Sequence, residues 1–157
     1  MIDWLKVRRY VQRRTLFCAV AVVEEGKPRL FPIGSLRIHP DGTATYFEIF
    51  ARPTKEGSPI TFLAVDAGIT FWLFSLLKGR FPHPPALRLY GTTGERRPST
   101  EGEKQGWARR MKWLLKTPGG KALWSFPNFV REVSFQEAEV LKVGQPTRGL
   151  EHWLKTS

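Results

Sequence analysis

The sequence predicts a mainly β protein, a small antiparallel barrel with helices at its ends. Three observations carry that prediction. Runs rich in β-branched and aromatic residues recur between turn residues, at 16–23, 29–38, 43–50, 60–66, 86–92 and 129–135. Helical spacing is confined to the opening residues and to a stretch near 100–116. Neither an internal repeat nor a low-complexity tract interrupts this order.

Taken in order, residues 2–14 place Trp4, Leu5, Val7 and Val11 among Lys6, Arg8, Arg9, Arg13 and Arg14, the pattern of an amphipathic helix with a basic outer face. Residues 16–23 form a continuous apolar run, and Gly26 supplies the turn after it. The returning strand, 29–38, is interrupted by Gly34. Such a glycine marks a bulge, a barrel corner or a place where something approaches the backbone closely. His39-Pro40-Asp41-Gly42 then turns the chain into 43–50. The loop 51–59 carries Arg52 and Lys55 between Pro53 and Pro59, which makes it stiff. Beyond the strand at 86–92, Thr100 and Glu103 make a capping box. Trp107, Met111, Leu114 and Leu115 follow on one helical face, and Pro118-Gly119-Gly120 ends it. Residues 129–135 alternate with period two, and 140–143 continue as a closing strand.

At 157 residues, 41% of them hydrophobic, the chain suits a single domain, 1–157, with a packed core: helix at 2–14, barrel at 15–143 and the helix of 100–116 inserted before the last strands. The lone Cys18 reads as a small buried hydrophobe, and its solitude fits a reducing, cytoplasmic setting. Asp3 near the start argues against a secretory signal. Residues 60–77 carry only one charge, Asp66, and approach the length of a bilayer span. Asp66 would cost about 2.5–3.5 kcal/mol in a membrane, and Ala67-Gly68 reads as a turn, so two buried elements are expected and no membrane. The net charge of +11 attracts anionic ligands such as phosphorylated cofactors, although the cations are spread from Arg8 to Lys155.

Several chemistries lack their residues. No GxxxxGK[ST] or GxGxxG follows a strand, and no G-x-S-x-G elbow surrounds a serine. His39, His83 and His152 lack metal-ligand spacing, so no metal is expected; the first two, each before a proline, read as surface turn residues. Redox or group-transfer chemistry would therefore need an added cofactor.

Residues 32–47, together with the segment 71–81 and its continuation through Pro84-Pro85-Ala86-Leu87-Arg88-Leu89-Tyr90-Gly91 to Glu101, resemble the pyridoxamine 5′-phosphate oxidase-like, FMN-binding split-barrel family. The resemblance covers roughly residues 16–103. It implies a six-stranded antiparallel Greek-key split barrel with flanking helices, paired as a homodimer with FMN between the subunits, and an oxidoreductase of unknown substrate. Carried onto this sequence, it implies Ile33, Gly34 and Ser35 as backbone contacts to the flavin ring, with Tyr46 and Phe47 flanking it. Arg52 and Lys55 would meet the phosphate, Arg88 the ring's polar edge, and Trp124 would cover the ring across the subunit seam. A flat ring against a strand gives Gly34 a physical reason, and an arginine fork beside a lysine suits a dianionic phosphate.

The chain also departs from the family. Phe31 replaces a phosphate-gripping arginine of the vitamin B6 oxidases, Ala86 stands near the place of their flavin-contacting glutamine, and the helix between strands three and four is shortened to Glu56-Gly57-Ser58-Pro59. Oxidation of pyridoxamine phosphate itself is therefore not the expected reaction. Other split-barrel ligands, haem or a deazaflavin with an acidic tail, stay open, as does a split barrel that has lost its cofactor. A basic barrel binding nucleic acid is the alternative of another class. Against it, the aromatics sit in apolar runs rather than alternating with Lys and Arg.

Overall fold

Period-two alternation sorts the strand residues of this chain into an inner and an outer set, and the computed structural model, which describes residues 1–49 and 53–156, follows that sorting. The strands are β1 (Cys18–Glu24), β2 (Lys27–Ile33), β3 (Arg37–Ile38), β4 (Thr43–Phe47), β5 (Pro59–Val65), β6 (Ala86–Pro98) and β7 (Phe129–Val140). Every pairing is antiparallel, in the order β2-β1-β5-β6-β7-β4-β3. β2 and β3 are the two edges, so the sheet is split rather than closed. Its inward residues meet in one core, with Val20 from β1, Phe62 from β5 and Leu87 and Leu89 from β6 fully enclosed. Each such side chain contributes about 1.5–3 kcal/mol.

The sheet has seven strands where six were expected. The difference arises at Gly34: the run 29–38 pairs with β1 only as far as Ile33, then turns through residues 34–36 and pairs as β3 with β4. Gly34 therefore marks a corner rather than a bulge within one strand. At the other end, 129–135 extends without a break to Val140 as β7, which stays paired with β6 across two register shifts, while 141–143, expected to continue the strand, lie beyond it.

Four α-helices flank the sheet: α1 (Trp4–Arg14), α2 (Ile69–Lys78), α3 (Glu101–Arg110) and α4 (Pro118–Trp124). α1 is capped by Asp3, whose carboxylate accepts from the Lys6 N–H, and it buries Val7, Tyr10 and Val11 against the core. Gly42 has φ +86°, and a Cβ there would meet the Trp4 indole at 2.9 Å, so the β3–β4 turn doubles as the seat of α1. The capping box of Thr100 and Glu103 starts α3, which ends at Arg110, short of the expected 116. Pro118-Gly119-Gly120, expected to stop a helix, begins α4. Thr117 caps it and Pro118 takes the first turn, where no N–H is needed.

The second half of the run 60–77 differs most from expectation. It forms α2, yet only Ser75 of that helix is buried. Among the described residues no helix is long and apolar enough to cross a membrane.

Next to β4, Glu48 is buried with both oxygens occupied. Arg131 Nε and Nη2 donate to them at 2.9 and 3.3 Å, Arg96 Nε at 3.0 Å, and the Tyr46 hydroxyl and Thr54 N–H at 3.4 Å. Thr93 holds the following loop, donating to the Lys55 carbonyl and accepting from the Ser58 N–H. These contacts fix both ends of the connection that carries Arg52.

A second buried carboxylate lies at the end of β5. Asp66, with a side chain 2% exposed, has Arg14 at 3.6 Å and His83 at 3.8 Å. His83 is not the surface residue expected: it stacks on Phe71 at 4.1 Å, is partly buried, and takes Arg14 Nη1 at 2.7 Å on Nε2 while Nδ1 faces the Pro84 carbonyl. Tyr10 donates to the same carbonyl. Burial first, and the Arg14 charge with it, hold the His83 pKa below 6.5, against the opposing pull of the Pro84 carbonyl and Asp66. The unfolded chain then takes up the proton first as pH falls, so His83 subtracts stability from just above pH 6.5 down through its folded value. His83→Gln is expected to flatten the loss of folding stability between about pH 7 and pH 5, read by urea unfolding at each pH. An unchanged slope would assign the loss to other groups.

Candidate functional site

The corner at Gly34 opens a crevice. Because β2 is a sheet edge, its outer side has no strand partner among the described residues, and beyond Ile33 the N–H groups of Gly34 and Ser35 make no backbone hydrogen bond among them. Ser35, 5% exposed, ties the corner to β4 by accepting from the Phe47 N–H at 2.9 Å. Opposite stands an aromatic wall. Phe47 meets Trp107 of α3 edge to face at 5.3 Å, and Trp107 Nε1 donates to the Trp124 carbonyl of α4 at 3.1 Å. Between corner and wall lies a largely apolar cavity of about 510 Å³.

Ile33, Gly34, Ser35, Phe47 and Trp124, singled out from sequence, all line this cavity. Trp124 reaches it from its own chain. Gly34 is close-packed in an unforeseen way: a Cβ there would meet the ring of Phe17 at 3.2 Å, so the chain's own half-exposed phenylalanine lies against it. Tyr46 lines an adjoining cavity of about 340 Å³ that shares Ser35, Phe47, Trp107 and Arg110 with the first. Burial, with Glu48 beside it, pushes the Tyr46 hydroxyl up to about 12, so it stays protonated.

The remaining candidates stand apart. Lys55 is exposed and lines neither cavity, and Arg52 lies outside the described residues. Arg88, on β6, donates to the Tyr90 hydroxyl and to Glu139 and also lines neither cavity; those hydrogen bonds raise its pKa. Cys18 is buried and its thiol is pushed up to about 12 by burial, which makes it part of the core rather than a nucleophile. Among the described residues no group of three His, Cys, Asp or Glu side chains is arranged to hold a metal ion.

Two arginines were missed. Arg37 of β3 and Arg110 of α3 both line the smaller cavity, and neither forms an ion pair among the described residues. Arg37 Nη1 lies so near α3 that a Cβ on Gly106 would stand 3.2 Å from it. Desolvation beside the cavity, and the Arg37 charge with it, lower the Arg110 pKa. Glu103, the carboxylate in the same cavity, is engaged by Arg97 at 2.8 and 3.0 Å and by the Thr100 N–H, which hold it down to about 2. The sequence held a signal for Arg110: Glu103, Trp107 and Arg110 follow the i, i+4, i+7 spacing of one face.

No family model matches the chain, and no curated protein matches it. Solved structures do. An FMN-binding protein from Syntrophomonas wolfei superposes with a TM-score of 0.58 at 12% identity, over 89% of this chain and 86% of that one. HupZ of Group A Streptococcus superposes at 0.54 with 18% identity, over 89% and 94%. A candidate pyridoxamine 5′-phosphate oxidase from Listeria innocua does so at 0.51 with 11% identity, over 88% and 97%. At such identities the likeness establishes the fold. The chain has the split-barrel fold of the pyridoxamine 5′-phosphate oxidase-like FMN-binding proteins.

Proposed function

We propose that the chain is a homodimeric, cytoplasmic flavoprotein that binds FMN in the crevice at the β2 corner and serves as an oxidoreductase. The observation that carries this reading is the free strand edge at Ile33, Gly34 and Ser35 forming one side of an aromatic-walled cavity. The residues fit the group: a volume of about 510 Å³ suits a cofactor-sized ligand, the walls are largely apolar, and the Gly34 and Ser35 N–H groups have no backbone acceptor among the described residues. When bound, FMN would supply hydride chemistry. The chain's part is to orient the ring by the Gly34 and Ser35 donors, to exclude water with Phe47, Trp107 and Trp124, and to neutralise the phosphate with Arg52 and Lys55. Phe17 would yield its place beside Gly34 as the ring enters. Half exposed, it can do so without opening the core.

The purified protein is expected to show a flavin absorbance spectrum, or to gain one on soaking with FMN. A colourless protein that takes up no flavin would end the reading. Arg52→Ala with Lys55→Ala is expected to weaken FMN about tenfold or more while leaving riboflavin nearly unchanged, because charge-assisted bonds to the phosphate are lost. Equal losses would remove the phosphate assignment. Arg37 and Arg110, which line the smaller cavity without an ion pair among the described residues, favour a second reading, a deazaflavin with an acidic tail. Competition between that cofactor and FMN, followed by absorbance, decides between them.

A further inference from the structure

The apolar run 60–77 is only half absorbed by the barrel. β5 buries Ile60, Phe62 and Ala64, whereas α2 leaves Ile69, Leu73, Phe74, Leu76 and Leu77 exposed, the last two at 72% and 75%. Along α2, from Thr70 to Lys78, runs a groove of about 640 Å³ with an aromatic floor of Phe71, Phe74 and Phe81. The Phe81 N–H donates to the Pro146 carbonyl at 3.0 Å and brings the 145–148 segment alongside. Lys78, Arg80 and Arg148 line the groove, and none forms an ion pair among the described residues. Ser75 lines it too: the residue is 3% exposed and its hydroxyl has no hydrogen-bond partner among the described residues.

We propose that α2 docks the protein on an anionic phospholipid bilayer, its exposed apolar side chains entering the interface while Lys78, Arg80 and Arg148 hold a lipid phosphate at the groove. A helix of ten residues is about 15 Å long, half the thickness of a bilayer core, so it lies along the surface rather than across it. The helix C-terminus attracts the cations Lys78 and Arg80 by its dipole, but that leaves Arg148, on a separate segment, and the unpartnered hydroxyl without a role. A second copy of the chain is the other cover for an apolar face. At this face it would bring a second Lys78, Arg80 and Arg148 against these unpaired cations, whereas an anionic membrane supplies the opposite sign.

The test is co-sedimentation of the full chain with phosphatidylcholine vesicles containing phosphatidylglycerol, beside vesicles of phosphatidylcholine alone. Binding is expected only to the anionic vesicles and is expected to weaken in high salt. Lys78→Gln with Arg148→Gln is expected to lower partitioning about 25-fold, roughly fivefold for each cation. Leu76→Asn with Leu77→Asn is expected to lower it at least tenfold. These side chains are exposed, so thermal unfolding should confirm that each variant is folded. No binding to anionic vesicles, equal binding to neutral ones, or binding retained by both variants would each overturn the proposal. So would a Leu76→Asn, Leu77→Asn protein that becomes monomeric by light scattering while the parent, a dimer, ignores vesicles. None of these readouts depends on flavin.

Discussion

Glu48→Ala will destabilise the fold by about 3–5 kcal/mol, because it strands the Arg131 guanidinium, whose side chain is 4% exposed, without a counter-charge. Arg131 would keep one acceptor, the Gly94 carbonyl at 3.0 Å, and a single neutral bond does not offset a buried cation. Arg96 is in a different position: 32% exposed and over the Phe129 ring at 3.8 Å, it can turn to water at little cost. For a chain of this size the loss corresponds to a fall of roughly 6–20 °C in Tm, measured by differential scanning calorimetry. The double variant Glu48→Leu, Arg131→Met is expected to recover most of the loss, since apolar residues of similar size often replace a buried pair without penalty. A single variant costing under about 1 kcal/mol would mean that water reaches Arg131. Because Glu48 also accepts from Thr54, the same change would loosen the loop that carries Arg52, and FMN affinity should fall with stability.

This ion pair illustrates what sequence reading does not reach. Glu48 and Arg131 are 83 positions apart, and neither strand pattern singles them out, because each occupies a place where alternation alone expects an apolar side chain or an outward one. Local signals fared better. Asp41 and Gly42 turn the β3–β4 hairpin, with Asp41 accepting from the Thr43 N–H and hydroxyl, and the capping box at Thr100 starts α3 where expected. Where one residue type serves two structural roles, local signals misplace elements. Pro118 reads as a stop although proline suits a helix's first turn, and of the meanings a glycine can have within 29–38, Gly34 has that of a corner, which separates two strands. In the crevice, Ile33, Gly34, Ser35, Phe47 and Trp124 were legible because they lie in β-prone or aromatic segments that a resemblance could match. Arg37 is not, since a surface cation and a cavity cation look alike until the register of β3 on β4 is known, and Arg110 is marked only by the helical spacing it shares with Glu103 and Trp107.

Phe62→Ala is expected to cost a further about 3–5 kcal/mol, through packing rather than charge. Phe62 is fully enclosed on β5 and is the middle member of an aromatic series across the interior. Tyr46 meets it edge to face at 5.8 Å, Phe135 meets it at 5.4 Å, and Trp4 of α1 stacks on Phe135 at 6.1 Å. Truncation leaves a cavity that Ile60 and Ala64 cannot fill, since both belong to the same regular strand, and it removes two edge-to-face contacts of about 0.5–1.5 kcal/mol each. The consequence reaches the crevice, because Tyr46 forms part of the wall of the smaller cavity and loses the ring that holds its position. Urea unfolding should show a lower midpoint with an unchanged slope, and Phe62→Leu should cost well under half as much. Benzene is expected to raise the midpoint of the alanine variant and not that of the parent, because an apolar void stays dry and accepts an apolar guest. A parent-like midpoint for Phe62→Ala would mean that the sheet closes over the gap, and the interior would then be far softer than its alternation of buried side chains implies.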